Sequence, residues 1–212
     1  HSVSGVITRS GARFESDNIV LTSGTYLRGK IILGDSMYQG GPNGQMPAMS
    51  LSDSLKELGM ELGRFKTGTP PRIHRQSIEY SKFRIQPGDE KLSRFSFLPT
   101  ESQFWHTDVT KQVPCWLGYT TNHTHDIIRE NLYRAPLYSG KFEGIGPRYC
   151  PSIEDKVVRF AQREAHQIFL EPEGWQSDEF YVAGLSTSMP EEIQVKILQS
   201  IPGLQNVRML RP

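Results

Sequence analysis

The stretch Gly144-Ile-Gly-Pro-Arg-Tyr-Cys-Pro-Ser-Ile-Glu-Asp-Lys156 decides how the rest of this chain is read. Glycines and a proline keep its front half out of regular structure. Ser152, with Asp155 three residues later, is a capping-box variant that opens a helix carrying Ile153, Val157, Val158 and Phe160. A glycine loop feeding a helix start offers N–H groups and the positive end of the helix dipole, which suits a phosphate or pyrophosphate. Arg148 adds a bidentate donor. The same electropositive spot favours the thiolate of Cys150. One segment thus reads both as a nucleotide cradle and as an activated thiol. The bland reading of the same residues is a capped helix after a turn, with Cys150 a small buried filler.

Outward from this segment, strands and helices alternate, which argues α/β or α+β. On the amino-terminal side, Val3, Val6 and Thr8 alternate, Gly11 marks a turn, and Asn18-Ile-Val-Leu-Thr22 reads as a buried strand. It ends in Ser23-Gly24-Thr25, small residues that let a backbone approach a ligand closely. Gly29 to Gly34 is a further short strand, and Gly40 to Gly44 is a loop. Leu51, Leu55, Leu58 and Leu62 fall at helical spacing, with Ser50 or Ser52 as cap and Gly59 or Gly63 as stop. Pro114 to Tyr119 reads as a strand and Thr124 to Tyr133 as a helix. Past the central segment, His166 to Leu170 reads as a strand. Ser188, Pro190 and Glu191 open a last helix with Ile193, Ile197 and Ile201 inward.

Composition limits the function classes. The chain has 212 residues and a net charge of +1, so no global basic field announces nucleic acid. Two cysteines, Cys115 and Cys150, make no disulfide framework, and reduced thiols in a cytoplasmic setting are the simpler reading. No run of eighteen apolar residues is present to span a membrane. The opening His1-Ser-Val without Met and the strand-like close at Val207 to Pro212 read as a piece of something longer.

Three further constellations carry possible chemistry. Arg64, Lys66, Arg72 and Arg75 surround Thr67-Gly-Thr-Pro-Pro71 with no carboxylate among them, a pattern that contacts a phosphate backbone or forms a solvated basic loop. Ser23-Gly24-Thr25 after a strand resembles the turn near a flavin pyrophosphate. His123 and His125 lie two apart and would diverge on a helix, so no metal site is expected, and His125 reads as a hydrogen-bonding residue at a helix start. Cys115, in an apolar run beside Trp116, reads as structural. A complete Gly-x-Gly-x-x-Gly fingerprint is absent, so a first Rossmann βα unit would lie outside this chain.

Five blocks together resemble the MnmG (GidA) family, in order and over nearly the whole chain. They are Thr22 to Lys30, Gly63-Arg-Phe-Lys-Thr-Gly-Thr-Pro-Pro-Arg72, Gly146 to Lys156, His166 to Gly174 and Ser186-Thr-Ser-Met-Pro190. The resemblance implies a two-dinucleotide flavoprotein, an α/β FAD/NAD-binding Rossmann-like fold with an inserted α/β domain. Residues 1–75 and 181–212 would belong to the FAD-binding domain and 76–180 to an inserted NAD-binding domain. It implies an enzyme that installs an aminomethyl or carboxymethylaminomethyl group on carbon 5 of the wobble uridine of tRNA. It would use FAD, NADH and methylene-tetrahydrofolate, together with the GTPase MnmE, and act as a homodimer.

Under the same resemblance FAD contacts fall near Ser23, Gly24, Thr25 and Ala48. NAD contacts fall on Gly146, Pro147, Arg148, Tyr149, Cys150, Pro151, Ser152, Ile153, Glu154, Asp155, Lys156, Val157, Val158, Arg159 and Phe160. Cys150 becomes the catalytic nucleophile, and Arg64, Lys66 and Arg72 become candidate tRNA contacts. Lys66, Arg72, Glu154 and Lys156 are the candidate proton donors. The chain departs from the family at Pro42, where Arg is usual, and at Thr121, where Asn is common. Ala48, without a hydroxyl, would touch FAD through its backbone. Two rivals stand beside this reading: a folate- and FAD-dependent tRNA uridine methyltransferase of the TrmFO kind, and a non-catalytic nucleotide-binding fragment.

Overall fold

The structure is a computed structural model describing residues 2–90, 97, 112–140, 144, 146 and 149–212. It divides into two units. The smaller comprises the residues up to Ile32 together with Ser36–Phe65, and the larger comprises Leu33–Asp35 together with Lys66–Pro212.

In the smaller unit, β1 (Gly5–Ile7) and β2 (Arg13–Glu15) pair antiparallel around a tight turn. The Thr8 N–H reaches the Ala12 carbonyl at 2.9 Å, and the Gly11 N–H reaches the Thr8 carbonyl at 3.0 Å. β3 (Lys30–Leu33) and β4 (Ser36–Gln39) form a second two-stranded ribbon. The strand expected over 18–22 is not formed. No strand pairs with it among the described residues, and a strand exists only through its ladder. Its side chains are accordingly exposed, Val20 at 86%. Helix α1 (Met49–Glu57) is shorter than the leucine spacing suggests. Gly59, at φ 86°, breaks it and leaves Leu58 and Leu62 exposed. Its N-cap is Ala48 without a side-chain cap, not Ser50 or Ser52.

The larger unit is built on a six-stranded antiparallel sheet. Its strands are β5 (Arg72–His74), β6 (Arg84–Gln86), β7 (Cys115–Tyr119), β8 (Gln167–Pro172), β9 (Glu179–Ala183) and β10 (Met209–Arg211), in the order β10-β5-β9-β8-β7-β6. The sheet takes strands from before residue 76, from between, and from after residue 181, so one core runs through both expected domain junctions. Antiparallel pairing puts directly opposite residues on one face. Ile73, Phe180, Val182, Leu170 and Ile168 share the buried face, each no more than 4% exposed. Gly118 lies opposite Ile168 on that face, and a Cβ there would come within 2.5 Å of the Phe83 ring.

Three helices bring their apolar stripes into this core: α2 (Asn122–Glu130) with Ile128, α3 (Ile153–Arg159) with Ile153 and Val157, and α4 (Glu191–Gln199) with Ile193, Ile197 and Leu198. Thr121 caps α2 in a capping box with Thr124, so the residue that replaces the common Asn does a capping residue's work. The start of α4 differs from expectation: its N-cap is Pro190, with no side-chain cap, and Ser188 lies outside it. Tyr80, Trp116 and Phe180 close one end of the core with ring centroids 4.9 to 6.0 Å apart.

The two units differ in how much core they own. Leu55 is the only buried apolar residue of the smaller unit among those described, while the larger unit buries twenty. A piece of about 65 residues with one buried apolar side chain cannot offset its conformational entropy. Residues 1–65 expressed alone are therefore expected to show no cooperative urea transition by circular dichroism. A sigmoidal transition would count against this reading of the unit.

Candidate functional site

The segment that opened the sequence reading is tied down from several directions where α3 begins. The Asp155 N–H donates to Ser152 Oγ at 3.3 Å, and the Asp155 carboxylate accepts from the Ser152 N–H at 3.1 Å and from its hydroxyl at 3.0 Å. Tyr138 donates its phenol to the same carboxylate at 3.0 Å. Burial alone would raise Asp155, but the Ser152 and Tyr138 hydrogen bonds and the nearby Lys66 charge hold it below the ordinary carboxylate range. Tyr138 is pushed up to about 12, first by burial and then by the Asp155 charge it faces.

The Ile153 N–H donates to the Ser186 carbonyl at 2.8 Å. Thr187 donates its hydroxyl to Glu154, and the same oxygen accepts from the Met189 N–H at 3.1 Å. The Lys156 ammonium donates to the Gly184 carbonyl at 3.0 Å, and burial lowers its pKa. The N–H groups of Ser152, Ile153 and Asp155 are thus consumed inside the fold. This helix start does not present the row of free donors expected from the sequence.

The loop ahead of it is more open. Pro147 and Arg148 lie outside the described residues. Gly146 is exposed, with open space where a Cβ would stand, and Tyr149 is 87% exposed. Cys150 and Pro151 are half-buried. Val157 faces the core, whereas Val158, Arg159 and Phe160 turn to solvent.

Lys66 is only 8% exposed and lines a narrow crevice with Ala135 to Tyr138, Ser152, Glu154 and Ser188. Three blocks far apart in sequence meet here: Lys66 to Thr69, Ser152 to Asp155, and Ser186 to Ser188. The Thr187 N–H donates to the Thr69 carbonyl at 3.2 Å, which closes the triangle. Glu154 is 1% exposed, and its Oε2 has no hydrogen-bond partner among the described residues. Sequence reasoning gave Tyr138 and Thr187 no role. Thr187 stood in a quoted block, whereas nothing local marked Tyr138, which is recruited by tertiary packing.

The basic group does not act as one cluster. Arg72 on β5 gives its Nε to Glu173 at 2.9 Å, bonds Thr69 and the Pro70 carbonyl, and lies 4.6 Å from the centroid of the Tyr181 ring. Arg75 stands 3.9 Å from Asp178. Arg64 belongs to the smaller unit and reaches the Arg28 carbonyl at 3.4 Å. Tyr181 is raised chiefly by burial, with the Arg72 charge opposing. Cys115, half-buried on β7, is raised by burial and then by Glu171, which keeps its thiol protonated.

In the smaller unit, Ser23 precedes a helical turn over Gly24–Tyr26. Ala48 lies beside that turn. Its N–H donates to the Tyr26 carbonyl at 2.8 Å, and its carbonyl accepts from the Arg28 N–H at 3.0 Å. Gly24, at φ 50° with open space where a Cβ would stand, leaves the backbone there approachable. Pro42 starts a turn over Pro42–Gly44.

Two substitutions test the ties around α3. Ser152→Ala removes a buried N-cap and is expected to cost about 1–2 kcal/mol. Thr187→Val strips the Glu154 carboxylate of its one donor and is expected to cost about 1–3 kcal/mol. Urea midpoints at constant slope measure both, and an unchanged midpoint in either would remove that tie from the account.

Comparison with known proteins completes the description. The family model described as glucose inhibited division protein A matches residues 1–212. A tRNA uridine 5-carboxymethylaminomethyl modification enzyme MnmG from Desulfitobacterium hafniense strain Y51 is 72% identical over 210 residues, which is 99% of this chain and 33% of that protein. The protein of the same name from Bacillus licheniformis is 59% identical over 207 residues, 98% of this chain and 32% of its own. The form I crystal structure of Aquifex aeolicus GidA superposes with a TM-score of 0.86 at 47% identity, covering all of this chain and 35% of that one. The chain spans about a third of the length of the relatives it matches.

Proposed function

Because the chain belongs to the glucose inhibited division protein A family, we propose that it is part of a tRNA-modifying flavoprotein. That enzyme forms 5-aminomethyl or 5-carboxymethylaminomethyl uridine at the wobble position. The observation that carries the reading is 72% identity, over nearly the whole chain, to a relative named for that modification. The five sequence blocks, including the one around Cys150, fall within the matched length. In this reading the substrates are tRNA and methylene-tetrahydrofolate, the partner is an MnmE-type GTPase, the complete protein is a homodimer, and the setting is cytoplasmic. No described helix is long and apolar enough to cross a membrane.

Cys150 is the nucleophile of the proposal. Its thiolate adds to carbon 6 of the uracil ring, which makes carbon 5 nucleophilic toward the one-carbon unit. Loss of the carbon 5 proton then expels the thiolate and restores the ring. Half-burial of Cys150, beside an exposed loop, suits a thiol that meets a macromolecular substrate. Of the four candidate proton donors, Arg72 is held by Glu173 and Lys156 by the Gly184 carbonyl. Lys66, lining the crevice without an ion pair among the described residues, is the better candidate.

FAD fits the residues of the smaller unit. Ser23, Gly24 and Thr25 would hold it through an open, left-handed turn, with the Ala48 carbonyl beside them. When bound, it supplies the redox chemistry that the one-carbon unit needs. For the nicotinamide nucleotide, the open loop at Gly146 and Tyr149 is the approach, and the residues from Ser152 on support that loop from behind. Arg64 and Lys66 remain candidate tRNA contacts, one in each unit.

In the full-length protein, Cys150→Ser is expected to abolish wobble modification while FAD absorbance is retained. Digested tRNA analysed by mass spectrometry reads the first, and the visible spectrum reads the second. Normal modification in the variant would falsify the nucleophile role. Accumulation of 5-methyluridine as the wild-type product would instead favour a methyltransferase.

A further inference from the structure

A second group of buried titratable side chains lies in the larger unit and has no part in the proposed chemistry. Thr120 directly follows β7, His125 lies on α2, and His166 lies just before β8. Thr120 and His125 are at most 2% exposed and His166 is 8% exposed. One hydroxyl joins them: Thr120 Oγ1 lies 2.8 Å from the His125 ring Nε2 and accepts the backbone N–H of His166 at 2.8 Å. The two imidazole rings face each other with centroids 5.1 Å apart. His125 Nδ1 and His166 Nε2 are buried without hydrogen-bond partners among the described residues. A protonated imidazole needs an acceptor for each N–H, so charging either ring here leaves a buried donor unsatisfied and sets a cation against its neighbour.

We propose that His125, His166 and the shared Thr120 hydroxyl form a proton-sensitive latch that holds α2 and the segment entering β8 on the sheet at neutral pH and releases them on acidification. The charged surroundings reinforce it. Around His125, on its own helix, Arg129 opposes protonation and Asp126 favours it. Around His166, the other ring, Lys156 of α3 and Arg163 of the following segment all oppose it. Burial, the largest cause for both, and these charges lower both pKa values from the ordinary 6.5. A lowered folded-state pKa means that the open form binds the extra protons. The stabilisation is therefore complete above about pH 6.5 and is lost as the pH falls through that value. His166 lies in the segment between α3 and β8, so opening of the latch frees the entry to that strand.

Hydrogen exchange by mass spectrometry on the full-length protein tests this. With the intrinsic rate corrected, each ring can contribute at most about tenfold in opening between pH 7.5 and 5.5, so peptides covering 122–130 and 160–166 are expected to lose protection as the pH falls, by up to about a hundredfold. His166→Gln keeps an amide in place of the ring and should make that loss clearly smaller. If this variant does not fold, His125→Asn is measured with the same expectation. Protection in the wild type that does not change with pH overturns the proposal, and so does a variant whose loss equals the wild-type loss.

Discussion

The larger unit depends on how α3 begins. Ser152 and Asp155 satisfy each other's polar groups, Tyr138 adds a donor from the 135–140 segment, and the Ile153 N–H and Glu154 carboxylate take the Ser186–Thr187 segment. A seven-residue helix is far too short to be stable alone. It exists because its first turn is the meeting point of segments more than a hundred residues apart, and because Ile153 and Val157 are buried at no more than 1% exposure. The hydrogen bonds set where the helix starts, and the apolar side chains decide that it packs at all.

Charge is distributed around that junction with little waste. Glu154 and Asp155 are adjacent carboxylates in a nearly dry place, a costly arrangement unless both are satisfied. Asp155 has three favourable neighbours, Ser152, Tyr138 and Lys66, and titrates below its ordinary range despite its burial. Glu154 has Thr187 on one oxygen and, among the described residues, no partner on the other. Lys66 lines the crevice with Glu154 and the 135–138 segment, and its charge favours the Asp155 carboxylate. The lysine of the basic Lys66 to Arg72 block therefore belongs to the electrostatics of the fold as well as to any ligand.

The legibility of the sequence followed the locality of the interactions. The Ser152 cap, β7, β8 and the body of α2 and α4 were readable, because capping pairs and apolar periodicity act within a few residues. β5 and β6 were hard to read because each has only three residues in this sheet, and β5 follows two prolines. They are strands only by virtue of the neighbours they pair with. The 18–22 segment shows the converse: a strand-like apolar run forms no strand where no strand among the described residues pairs with it. At the site, the convergence of Lys66, Glu154 and Thr187 on one crevice is a tertiary fact, and no spacing rule announces it.

The geometry also divides the motif's residues by what a substitution in each can reveal. Ser152, Glu154, Asp155 and Lys156 all hold other segments, so loss of activity on changing them is expected from loss of the fold alone. Cys150 is different. Among the described residues it holds no hydrogen bond, and it is only half-buried, so replacing its sulfur by oxygen disturbs no tie identified around α3. Lys66 has a charge that the fold uses but no hydrogen bond or ion pair among the described residues. Chemistry is therefore best sought in residues that the fold does not need. By that criterion Cys150 is the member of the two blocks whose substitution speaks most directly about catalysis, whereas a change at buried Lys66 also removes a charge that favours Asp155.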